Sequence, residues 1–119
     1  MKKILYVQTS GTDTPERTYA PFILATTAAA SGVDASIYFM IKGLTIVKKG
    51  AAQEVQLGSF PPLSEAMAQA ADAGVKFYVC EQSAQLMGFG KGDFIDGAII
   101  AGAATLNKMA IEADGVLTL

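Results

Sequence analysis

The apolar residues of this chain change period repeatedly, and that alternation limits the folds open to it. Ile4 to Val7 is a short continuous run of the kind a buried strand uses, and Val33 to Met40 reads the same way through Ser36-Ile37-Tyr38-Phe39. Val75 to Val79 is a third such run, Ala98-Ile99-Ile100 a fourth, and Gly115 to Leu119 a terminal fifth. Between them lie helical spacings. The cleanest follows Pro61-Pro62, where Leu63, Ala66, Met67, Ala70 and Ala71 fall on one face before Gly74 ends the helix.

Another helix ends at Ser31 with Gly32 as its cap. Pro15 suits a first helical position and Pro21 would remove an interior hydrogen bond, so this helix kinks or begins near Ala20. Ile41 to Lys49 reads as a short helix or turn, Ala51 to Phe60 as a loop, Glu81 to Met87 and Ala103 to Glu112 as helices. Strands alternating with helices predict one α/β domain over residues 1–119: a doubly wound, mostly parallel five-stranded sheet with helices on both faces. Functional groups in such sheets gather beyond the carboxyl ends of the strands. The loop after Val7, the Met40 to Gly43 turn, Cys80 and the turn after Ile100 are expected to share that rim.

Cys80 is the only cysteine among 119 residues, and the chain has no histidine. Cys-His and Ser-His-Asp hydrolase arrangements are thereby excluded, as are most zinc sites. Cys80 follows directly on Val75-Lys76-Phe77-Tyr78-Val79 and precedes Glu81-Gln82-Ser83, which sets its sulfur at a strand end against a helix N-terminus. Unpaired N–H groups there favour thiolate, so Cys80 is expected to be solvent-reachable with a pKa below the ~8.5 of a free thiol. Ser83 is expected to bring its hydroxyl near the sulfur, while Glu81, if it points inward, opposes ionisation. The competing explanation is a small apolar core residue, since free cysteine is often buried.

Ser10 and Gly11 lie in the hydroxyl-rich loop Thr9 to Thr14, which invites comparison with the phosphate loop of flavodoxins. Gln8 and Asp13 occupy places that would carry hydroxyls in such a loop, and a turn leading into a helix cap explains the composition without a ligand. Gly88, Gly90 and Gly92 end a helix instead of linking a strand to one, so they form no dinucleotide fingerprint. Receiver-type phosphotransfer fails too, because Gln8-Thr9 and Cys80 stand where that chemistry needs acids. Lys42, Lys48 and Lys49 would attract an anion near the rim; for the last two a solvated face explains the charge.

Hydrophobic residues make up 51% of the chain and charged residues 17%, more apolar surface than so small a domain hides alone, so a homo-oligomer is expected. A net charge of -2 with no basic cluster beyond Lys48-Lys49 argues against nucleic acid and anionic membranes. Met1-Lys2-Lys3 mimics the start of a signal peptide, but its apolar stretch stops at Gln8, and no run reaches membrane-spanning length. A lone thiol with no export signal predicts a reducing cytoplasm.

Several segments together resemble the DsrE/DsrF-like family of small sulfur-relay proteins. They are the strand-one loop leading to Pro21-Phe22, Phe39-Met40-Ile41-Lys42-Gly43-Leu44 running into Lys48-Lys49-Gly50, and Cys80. Asp93-Phe94-Ile95-Asp96-Gly97 leading to Ala101-Gly102-Ala103 and Ala113-Asp114 complete the set. The resemblance implies a flavodoxin-like domain, assembly into trimers or hexamers, and a persulfide carried on Cys80. Some members lack that cysteine. The residues independently suit a carrier: a disulfide oxidoreductase needs a second thiol and a persulfide carrier only one. Cys80 would accept sulfane sulfur from a protein donor and yield it to a protein acceptor, with no metal or organic cofactor. A non-catalytic assembly subunit and a small-ligand module using the strand-one loop remain the alternatives.

Overall fold

The computed structural model describes residues 1–119. Its strands are β1 (Lys3–Gln8), β2 (Asp34–Phe39), β3 (Lys76–Cys80), β4 (Ile99–Ala101) and β5 (Gly115–Thr118). The helices are α1 (Ala20–Ala30), α2 (Leu63–Asp72), α3 (Glu81–Met87) and α4 (Ala103–Glu112). All four strand pairings are parallel, in the order β4-β3-β2-β1-β5. The expected sheet is therefore present. Each crossover returns the chain to the same edge direction, so every strand's carboxyl end points to one rim.

Alternation along the strands divides the core. Phe39 and Phe77 face α1, where Phe22 packs with ring centroids 5.9 and 5.6 Å from theirs, and all three rings are buried. The opposite face carries Tyr38 stacked on Tyr78 at 6.4 Å, with Cys80 two residues further along β3 on that same side. Helix α4 covers the Leu5 side of this second face, bordering a groove of about 250 Å³ with Ser36, Tyr78 and Met109. None of its residues is buried.

Helix boundaries follow local chemistry. Pro21 sits in the first turn of α1, where its missing N–H has no intrahelical partner to lose, so the helix starts at Ala20 without a kink. Thr14 leads into a 3-10 turn, Pro15–Arg17, and its hydroxyl donates to the Gly11 carbonyl at 3.2 Å; the expected helix cap is absent. Gly88 closes α3 in the left-handed conformation at φ 74°. A 3-10 helix over Ile41–Val47 follows β2, and a shorter one, Ala52–Glu54, interrupts the segment expected to be loop. No helix is long and apolar enough to cross a membrane.

Candidate functional site

The four rim segments converge as the topology requires. Cys80 ends β3, pairs in register with Ala101 of β4 and caps α3, its Sγ accepting the Ser83 N–H at 3.4 Å. The cap is a consequence of β backbone passing straight into helix: at φ -68° and ψ 117° the Cys80 side chain turns back over the first helical N–H groups. Gln82 Oε1 lies 3.9 Å from the sulfur.

Two details differ from expectation. Cys80 is only 6% exposed and packs within the core, because neighbouring segments fold over the strand end. The Ser83 hydroxyl does not turn to the sulfur; it accepts the Ile41 N–H at 2.8 Å, while the backbone of Ser83 serves Cys80. Ser83 is itself buried, and Glu81 is exposed.

Sequence reasoning missed Tyr38. Its ring is fully buried, and its hydroxyl donates to the carbonyls of Ala101 (2.9 Å) and Gly102 (3.2 Å), closing the β4 side of the thiol. Burial holds the phenol well above the ordinary tyrosine range, and the adjacent Cys80 sulfur adds to the effect. Tyr38 therefore stays a neutral donor throughout the physiological range. Parity with Tyr78 and Cys80 was the available signal, since residues two apart on neighbouring strands share a face.

Ser10, Gly11 and Lys42 are gathered elsewhere on the rim. The Ser10 carbonyl accepts from Gln8 Nε2 at 2.9 Å, and Gly11 lies so close to the Lys42 carbonyl that a Cβ there would overlap it. Thr12 N–H reaches Thr45 Oγ1 at 2.9 Å, and that hydroxyl donates to the Lys42 carbonyl at 2.7 Å. Gly11 and Thr12 thus join this loop to the chain after β2, while the Thr9 hydroxyl donates to the Leu119 carbonyl at 2.9 Å. Lys42 Nζ pairs with Asp13 at 2.8 Å, which holds the carboxyl below its usual range and the ammonium above its own. Both side chains are more than half exposed, so water screens the pair. Lys48 lies over the Phe89 ring at 4.7 Å, beside Lys49 in a polar groove of about 390 Å³. A larger groove of about 450 Å³ runs between α2 and the 95–97 segment. Cys80 lines neither of these grooves. No three His, Cys, Asp or Glu side chains cluster to hold a metal ion.

The sequence resemblance implies a flavodoxin-like domain with a cysteine after its third strand, and Cys80 stands at the end of β3. The profile of the DsrE/DsrF-like family matches residues 2–119. The chain belongs to the DsrE/DsrF-like family. It is 29% identical to the sulfur carrier protein DsrE2 of Allochromatium vinosum, with 95% of both chains covered. It is also 33% identical to an uncharacterized protein of Methanocaldococcus jannaschii, over 87% of this chain but only 38% of that one. The chain thus spans under two fifths of that archaeal relative. Among solved structures, the E. coli ychN protein superposes with a TM-score of 0.83 at 21% identity, each chain fully covered. A Methanobacterium thermoautotrophicum protein of unknown function gives 0.80 at 12%, also with full coverage of both. These two show the fold that this family member shares.

Proposed function

We propose that the protein is a sulfur-relay carrier that takes up sulfane sulfur as a persulfide on Cys80 and passes it to a protein acceptor. The observation that carries this reading is the position of the chain's only thiol, at the carboxyl end of an interior parallel strand where its sulfur accepts a helix N–H. Family membership and a relative named as a sulfur carrier support it. The Cys80 thiolate attacks the outer sulfur of a donor persulfide, R–S–SH. A new S–S bond forms, the donor's S–S bond breaks, and the electron pair leaves on the donor as R–S⁻. An acceptor thiolate then attacks the outer sulfur of Cys80–S–SH, restoring the Cys80 thiolate. Neither step has a net change in oxidation state, and neither needs a second cysteine in this chain.

Incubation with a persulfidated donor protein is expected to add one sulfur atom to the wild-type chain, seen by mass spectrometry, and none to Cys80→Ser. A stable mixed disulfide with the donor, or equal loading of the variant, would defeat the proposal. The near-complete burial of Cys80 favours a second reading, a non-catalytic assembly subunit whose cysteine is structural. The absence of both sulfur loading and a mixed disulfide at Cys80 would support it.

The proposal includes a homotrimer or homohexamer acting in the cytoplasm, where a lone thiol stays reduced. Edge strand β5 leaves Val116 44% and Leu117 45% exposed on opposite faces, and α4 exposes Ile111 at 83%, apolar surface suited to self-association. Sedimentation is expected to give a multiple of the 12.4 kDa chain mass. A monomer at every concentration would remove the assembly.

A further inference from the structure

We propose that the hydrogen bond from the Ile41 N–H to Ser83 Oγ is a latch that holds the first turn of α3 over Cys80 and sets how often the thiol is reached. Ser83 ties the two sides of the site together, receiving Ile41 through its side chain at 2.8 Å and serving Cys80 through its backbone at 3.4 Å. The Ile41 side is fixed. Met40 N–H donates to the Gln8 carbonyl at 3.0 Å, Gly43 packs against that same carbonyl, and the Lys42 carbonyl is held against Gly11 and Thr45. The α3 side is lightly held: only Ser83 and Ala84 of its seven residues are buried, and Leu86 is 85% exposed. Opening is therefore a movement of α3 away from an anchored turn.

Ile41 presents the donor of the latch through an unusual backbone conformation. It is the only non-glycine residue at positive φ (56°), and a β-branched side chain is among the least tolerant of that conformation. Its side chain is 51% exposed, so core packing does not explain the strain. What the conformation achieves is to carry the chain out of β2 into the anchored turn with the Ile41 N–H aimed at Ser83. The turn that imposes this φ is closed by the Gly43 N–H on the Met40 carbonyl at 3.0 Å, so the strain stays in the turn and the Ile41 N–H keeps its aim whether α3 is closed or open. A carrier whose thiol is 6% exposed requires such opening; the latch rests on the carrier reading for its purpose, though not for its existence.

Iodoacetamide alkylation of Cys80 in the folded full-length chain, measured from neutral to alkaline pH, tests this. Ser83→Ala keeps the backbone N–H at the sulfur but removes the acceptor for Ile41, and its plateau rate is expected to rise about tenfold. Ile41→Asn eases the left-handed backbone in the closed and open states alike, so its plateau rate is expected to stay within about twofold of wild type. Phe22→Leu, a modest destabilisation on the opposite face of the sheet, is the control and is expected to leave the plateau rate unchanged, so a rise confined to Ser83→Ala is not a general loss of stability. An unchanged plateau in Ser83→Ala, an equal rise in Phe22→Leu, a plateau in Ile41→Asn moved as far as that of Ser83→Ala, or a moved midpoint with a fixed plateau would overturn the latch. If Ser83→Ala fails to fold, Ser83→Gly, which removes the same acceptor, takes its place under the same criteria. Sulfur uptake is scored separately: its failure with alkylation rates moving as stated ends the carrier reading and keeps the latch, and the converse ends the latch alone.

Discussion

Phe22→Ala is expected to lower the unfolding free energy by about 3–5 kcal/mol, the range for truncating a fully buried aromatic ring. Phe22 has no exposed surface and stands between Phe39 of β2 and Phe77 of β3, which meet each other edge-on at 6.0 Å. Removing the ring deletes both of its contacts and leaves a void that α1 cannot fill by sinking toward the sheet. The helix is held at its start, where the Tyr19 hydroxyl donates to the Pro61 carbonyl at 2.8 Å, and further along, where the Tyr6 hydroxyl reaches the Leu24 carbonyl at 3.3 Å. Phe22→Leu, which keeps most of the volume, is expected to lose less than about 1.5 kcal/mol. Chemical denaturation of the three chains measures the series. A Phe22→Ala loss below 1 kcal/mol would show that α1 is free to collapse onto the sheet, contrary to the packing described.

The switching between strand-like runs and helical spacing made the parallel sheet legible in the sequence, and the carboxyl-end rule then placed Cys80 on the correct rim. Caps at Gly74 and Gly88 were legible for the same reason: left-handed residues that end helices are chemically marked. Contacts between distant segments were not. Ser83 and Ile41 are 42 residues apart; the carboxyl-end rule brings their segments to one rim, and no local pattern says that these two residues will bond there. Ile41 is the extreme case, because a β-branched residue is the last that propensity would assign to positive φ. The exposure expected for Cys80 failed on this account: a strand end is open only when the neighbouring turns leave it so. The loop of Ser10 and Gly11 carried a true signal of close backbone approach, but the approaching group is the Lys42 carbonyl of the same chain. Composition marks where a Cβ is forbidden and does not say what forbids it.

That distinction makes Gly43→Ala the most informative single change in the seam beneath the site. Gly43 has an ordinary backbone conformation, so its identity is not required by φ. A Cβ built there overlaps the Gln8 carbonyl oxygen and comes within 3.0 Å of its carbon. Those are main-chain atoms of β1. The Gln8 side chain cannot yield either, since it is buried, with Nε2 bonded to the carbonyls of Ser10 (2.9 Å) and Arg17 (3.1 Å). The clash must be relieved by moving the turn off β1, which stretches the Met40 N–H to Gln8 bond and carries Ile41 away from Ser83. Gly43→Ala is therefore expected to lose about 2–3 kcal/mol of stability and to alkylate faster at Cys80 than wild type, two readouts driven by one displacement. Gly92→Ala is the control, because its Cβ meets nothing within 4 Å and its φ lies outside the left-handed region. It is expected to change stability by no more than about 0.5 kcal/mol and to leave alkylation as in wild type. Denaturation midpoints and iodoacetamide rates for both variants check this together. A Gly43→Ala chain as stable as wild type would mean that the β1 seam yields, and the anchored turn against which α3 closes would no longer stand.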